Sequence, residues 1–233
     1  MKLVGERRAL SAAVFLFYCL LYMLNAYMGD PAITKLAAAI GGVYGLAFFA
    51  LVAGYFWARW YSIGVGLYGV ILAAVGMISG KLPEGSEGLM MFIGGTHLFA
   101  TVMLWGSAMA GPYDGQTAWR EKFHMDDNAV QRLGRAVIRA GVSLPLVLAY
   151  ALAPRTGAAS LVVSLALIAL TGLGLHALLK LKTWGVLALG TAGFALLAIA
   201  GIDGVVTPAL AGSLLVASAV PFAGPMARWL AVR

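Results

Sequence analysis

Apolar runs of about 20 residues recur along the whole chain, parted by short turns rich in glycine, proline and charge. A helix needs about that length to cross a hydrocarbon core roughly 30 Å thick at 1.5 Å per residue. The runs cover residues 9–28, 36–57, 61–79, 89–110, 134–153, 159–179, 184–202 and 207–227. They predict an all-α polytopic membrane protein with eight transmembrane helices. The eighth run is interrupted by Pro208, Pro221 and Pro225, so its ends are the least sharply drawn.

One long hydrophilic stretch, 111–139, stands between apolar blocks of similar length and carries Asp114, Arg120, Glu121, Lys122, Asp126, Asp127, Arg132, Arg135 and Arg139. Gly111 and Pro112 are the breakers expected to end the fourth helix. Trp119 and Phe123 among charges predict a segment lying at headgroup level. Asn128, three residues before Gln131, has the spacing of a capping box and predicts the start of the next helix. Arg132, Arg135 and Arg139 share one face of that helix. Together with Trp119 they form a candidate surface for a protein partner or anionic lipid.

The division that follows is a first four-helix unit over 1–110, a linker with an amphipathic surface segment over 111–133, and a second four-helix unit over 134–233. Internal similarity supports two tandem, parallel copies. Laid together, 60–80 and 184–204 match Trp60 with Trp184, Gly66 with Gly190, Gly69 with Gly193, Leu72 with Leu196 and Gly80 with Gly204. An even number of spans per copy returns the chain to its starting side, as parallel repeats require.

The distribution of cations tests the span count. Eight spans gather Lys2, Arg7, Arg8, Arg59, Arg120, Lys122, Arg132, Arg135, Arg139, Lys180, Lys182, Arg228 and Arg233 on one side. Only Lys35, Lys81 and Arg155 fall on the other. The basic side is therefore expected to be cytoplasmic, with both termini there, in a bacterial or archaeal plasma (inner) membrane. The composition agrees: 62% hydrophobic, 11% charged and a net charge of +7. Cations scattered over helix ends make no nucleic-acid patch. Cys19, the single cysteine, excludes a disulfide framework.

No Asp, Glu, Lys or Arg lies near the middle of a predicted span. Proton-coupled carriers, intramembrane aspartyl proteases and retinal proteins need such a group. No zinc-protease, nucleophile-elbow or phosphate-loop motif occurs, and Gly64, Gly66 and Gly69 imitate a dinucleotide fingerprint inside a spanning helix, where no strand precedes them.

The remaining polarity is a stripe in the first half. Tyr18, Tyr22 and Asn25 follow one face of the first helix, while Thr96, His97 and Thr101 lie on the fourth and Tyr68 on the third. They are candidates for an outward-facing ligand pocket. His97 with Met90 and Met91 offers imidazole and thioether donors of the kind that suit Cu(I). A haem held by His97 and His176 is disfavoured, because the rise per residue puts them about 12 and 25 Å below the outer surface. No cofactor is identified. The leading expectation is a non-enzymatic accessory or interaction subunit, contacting the lipid bilayer and a protein partner at 111–139. The alternatives are a carrier or channel for a small, weakly polar solute and a metal or haem protein centred on His97.

Overall fold

The computed structural model describes residues 3–79, 83, 85–153 and 158–231; side chains are described except at 158–160 and 225–231. Ten helices and no strand occur among these residues. Eight are long and apolar enough to cross a membrane: α1 (Val4–Met28), α2 (Thr34–Ala53), α3 (Ala58–Ser79), α4 (Glu87–Leu104), α7 (Asp127–Ala151), α8 (Ala158–Leu179), α9 (Thr183–Asp203) and α10 (Val206–Ala231). Two short ones, α5 (Ser107–Asp114) and α6 (Thr117–Lys122), fill most of the polar stretch between α4 and α7.

Two boundaries depart from the expectation. The fourth helix stops at Leu104, because Gly106 takes φ +100°, a conformation that L side chains rarely adopt. Gly111 and Pro112 sit inside α5, where so short a helix has few bonds for proline to remove. The cap of α7 is Asp126, whose carboxylate accepts the Ala129 N–H at 2.6 Å, and Asn128 falls within the first turn. An aspartate there also faces the positive end of the helix dipole. Lys2, Lys81, Glu84, Arg155 and Arg233 lie outside the described residues, as does the Arg228 side chain.

Each half closes on itself. In the first, α1 packs on α2 and α4, and α3 on α2 and α4; in the second, α7 packs on α8 and α10, and α9 on the same two. The halves meet chiefly where α3 lies along α7. A Cβ on Gly64 would come within 2.4 Å of the Ile138 carbonyl oxygen, and one on Gly134 would strike the Trp60 indole. Small residues are needed there because lipid supplies no hydrophobic drive, so association depends on close backbone contact.

The prolines of the later helices are accommodated by particular partners. Pro208 lies in the first turn of α10, whose N–H groups have no helical acceptor in any case. Pro221 deprives the Ala217 carbonyl of its usual N–H four residues on, and the Arg139 guanidinium of α7 donates to that oxygen instead.

Candidate functional site

Two regions collect the polar side chains of the first half: a cluster buried within the bundle, and a cap at the basic end.

His97 is the centre of the cluster and is 1% exposed. Its Nδ1 lies 2.7 Å from the Ile93 carbonyl oxygen and its Nε2 2.7 Å from the Tyr44 hydroxyl. A carbonyl can only accept, so Nδ1 carries the proton in the neutral ring, and Tyr44 donates to Nε2. One residue earlier, Thr96 lies 2.7 Å from both the Phe92 carbonyl oxygen and the Tyr18 hydroxyl. The threonine proton goes to the carbonyl, and Tyr18 donates to Thr96. Rings close the arrangement: Tyr44 stacks between Tyr18 and Tyr22, with centroids 5.4 and 5.5 Å away, and Tyr18 lies 4.2 Å from the imidazole. Tyr68 joins from α3, buried beside Tyr22 and Tyr44.

The sequence makes room for this polarity with glycine. A Cβ on Gly69 would stand 2.0 Å from His97 Cδ2, and one on Gly66 would stand 2.2 Å from Thr101 Oγ1. Bare α3 backbone therefore lies against the imidazole and the threonine hydroxyl, and the hydroxyl donates back to the His97 carbonyl at 2.9 Å.

Of the residues singled out from the pattern, Tyr18, Tyr22, Tyr68, Thr96 and His97 come together, with Thr101 one turn on. Asn25 is exposed and makes no side-chain hydrogen bond among the described residues. Tyr44, the hub, was missed. It stands on α2 apart from the stripe, and no spacing in the sequence ties it to His97. For metal, Met91 is 63% exposed, away from the buried imidazole, and Met90 is two turns from His97, about 10 Å along the axis. Both imidazole nitrogens are engaged by protein. No group of three His, Cys, Asp or Glu suited to a metal occurs among the described residues.

At the basic end, arginines donate to carbonyls at helix C-termini, where the intrahelical ladder runs out. Arg7 donates to the carbonyl of Val102 in the last turn of α4 and to that of Trp105 just after it, and Arg8 to those of Leu51 and Val52 at the end of α2. Arg59 donates to the Leu104 carbonyl at 2.9 Å and pairs with Asp114 at 2.6 Å. Gln116 bridges the Gly54 and Pro112 carbonyls. Trp119 is 7% exposed: its ring stacks on Phe56 at 4.3 Å, and its indole N–H donates to the Tyr113 carbonyl. Thus α5 and α6 are fastened to the bundle as a lid over the ends of α2, α3 and α4. Burial pushes the Asp114 carboxyl above the usual carboxylate range despite the Arg59 guanidinium beside it.

The predicted partner face is divided by these contacts. Trp119 packs inward, Arg139 is committed to α10, Arg132 is half-buried, and Arg135 is exposed. A shallow depression of about 400 Å³ opens on the cap among Thr117, Arg120, Glu121, His124, Met125 and Asp126. The chain matches no protein-family model, no curated protein and no solved structure.

Proposed function

We propose that this protein is a non-catalytic membrane subunit whose working surface is the cap over 105–139, presented to a protein partner. The observation that carries the reading is the fastening of that cap: Arg59 pairs with Asp114, Gln116 donates to the Gly54 carbonyl after α2, Arg7 donates to the Trp105 carbonyl, and the Arg8 guanidinium lies 5.9 Å from the Tyr113 ring centroid. A segment with nothing to present needs no such anchorage, whereas a docking surface gains from being held in one shape. The exposed Glu121, His124 and Arg135 supply mixed charge of the kind that selects a partner. A carrier would need polar groups left open to solute. Tyr18, Tyr44, Thr96 and His97 spend their hydrogen bonds on one another, which weighs against that alternative, and the engaged imidazole weighs against metal or haem at His97.

The basic end faces the cytoplasm in this reading, by the rule that cations collect on the inner side, and the membrane is a prokaryotic plasma membrane. The same neighbour order in both halves, with Gly69 against His97 and Gly193 against Val216, supports descent from a duplicated four-helix unit.

A photocrosslinking residue placed in cells at 121, 124 or 135 is expected to give a discrete protein adduct, and one placed at Leu89 on the opposite end is not. Absence of an adduct from all three cap positions would overturn the reading.

A further inference from the structure

The basic end carries a second, larger recess that is lined by none of the Glu121, His124 and Arg135 on which the partner test rests. It measures about 520 Å³ and lies where the α2–α3 turn, the end of α6 and the end of α8 converge, lined by Tyr55, Trp57, Lys122, Phe123, His176 and Lys180 over a floor that includes Trp119. No carboxylate lines it. Lys122 and Lys180 make no ion pair among the described residues, and the Lys122 ammonium rests 5.7 Å from the Phe123 ring centroid. Trp57 lies flat on Tyr55, with centroids 5.5 Å apart and planes 4° apart, and its indole N–H donates to no acceptor among the described residues.

From this recess two apolar strips run toward the membrane interior. On α2 they expose Phe49 and Val52, and on α8 Leu173, each more than half accessible. Both helices pack against α7. Cations above, an aromatic platform at headgroup level and bare hydrocarbon-facing side chains below complement one kind of molecule.

We propose that this recess is a binding site for an anionic phospholipid, with its phosphate between Lys122, Lys180 and His176, its glycerol region against Trp57 and Tyr55, and its acyl chains along α2 and α8. A free phosphate would use only the upper third of these features. A protein segment would have no reason to find its seat continuous with the lipid-facing strips. Interfacial lysines each add a several-fold preference for anionic over zwitterionic lipid. None of Glu121, His124 or Arg135 lines the recess, so failure here leaves the partner reading standing, and the reverse holds.

The test uses the full chain in phosphatidylcholine nanodiscs containing a small fraction of either phosphatidylglycerol or phosphatidylcholine brominated high on the acyl chain. Quenching of tryptophan fluorescence is the readout, and Trp57→Phe identifies the share that arises in the recess. Brominated phosphatidylglycerol is expected to quench Trp57 with about tenfold preference over its zwitterionic counterpart. That preference should fall to near unity in the Lys122→Gln/Lys180→Gln variant and persist in Arg135→Gln, which removes an exposed cation elsewhere. Equal quenching by the two lipids in the unmodified chain would overturn the proposal, as would preference retained in the double variant. Displacement of the lipid by millimolar inorganic phosphate, or a protein rather than lipid adduct from a crosslinker at 122, would overturn it too.

Discussion

The two halves share a ring of four helices and differ in what their polar side chains do. In the first, hydroxyls and imidazole reach across to neighbours: Tyr44 to His97, Tyr18 to Thr96, and Tyr61 to the Val43 carbonyl. In the second, Ser143 and Ser218 turn back to the carbonyls of Arg139 and Leu214 one turn earlier in their own helices, while Arg139 and Tyr150 cross to the Ala217 carbonyl and to Asp203. Glycine follows the same division. Gly66 and Gly69 admit side chains, whereas Gly193 admits the backbone of α10 at Gly212 and Val216. A polar group that crosses between helices fixes their register, and one that bonds its own helix leaves register to packing. The half bearing the cap is the one whose crossing bonds gather around a buried aromatic cluster, at Tyr18, Tyr44, Thr96 and His97.

Removing Arg59 should cause the largest loss. Arg59→Met strands the Asp114 carboxylate and the Leu104 carbonyl together, and an unpaired buried charge typically costs about 3–5 kcal/mol. Reversible unfolding in bicelles would measure it. Asp114→Asn should be nearly neutral by comparison. Because burial raises the Asp114 pKa on folding, its contribution is fullest at acid pH and is lost as pH rises through the raised value; the variant should lack that slope.

Next come the glycines, where the contrast between halves is sharpest. Gly69→Ala should destabilise by about 2–3 kcal/mol and be largely rescued by His97→Ala, because the obstacle is a removable ring. Gly193→Ala should destabilise comparably and resist rescue by Val216→Ala, because the obstacle includes backbone atoms of α10. Rescue in both halves would erase the distinction.

Smaller effects are expected at the hydrogen bonds. Tyr44→Phe leaves His97 Nε2 buried without a donor, for about 1–2 kcal/mol, whereas Ser143→Ala should stay near zero because it frees no cross-helix partner. Arg139→Met should cost about 1 kcal/mol, an effect that Pro221→Ala should abolish by restoring the N–H that Ala217 lacks. Both pairs can be read from the same unfolding assay.

The sequence pattern reveals the eight helices clearly, because a run of apolar residues long enough to span is set by length and composition alone. The polar stretch is read less well. Its breakers stand at Gly111 and Pro112 in the sequence, yet the chain turns at Trp105 and Gly106, where a positive φ leaves no trace beyond one glycine among many. Trp119 reads as an interface anchor from its charged neighbours, but stacking on Phe56 and an edge-on contact with Trp60 draw it inward, and those contacts are nonlocal. In the candidate cluster, helical spacing brought out Tyr18, Tyr22 and His97 but could not show that Tyr44 joins them from another helix. Asn25 shares their stripe and still points out, since a stripe gives a face and not its end.

The account turns on the first half's polarity being closed upon itself. Nitrogen-15 spectra of histidine-labelled protein in liposomes test this directly, with the His97 signals assigned by their loss in His97→Gln, since the chain has only 3 histidines. The expected result is a neutral ring protonated at Nδ1, with Nε2 shifted as a hydrogen-bond acceptor and the Nδ1 proton protected from deuterium oxide. A proton on Nε2, or rapid exchange with solvent, would mean that His97 opens to a ligand path and would contradict the account.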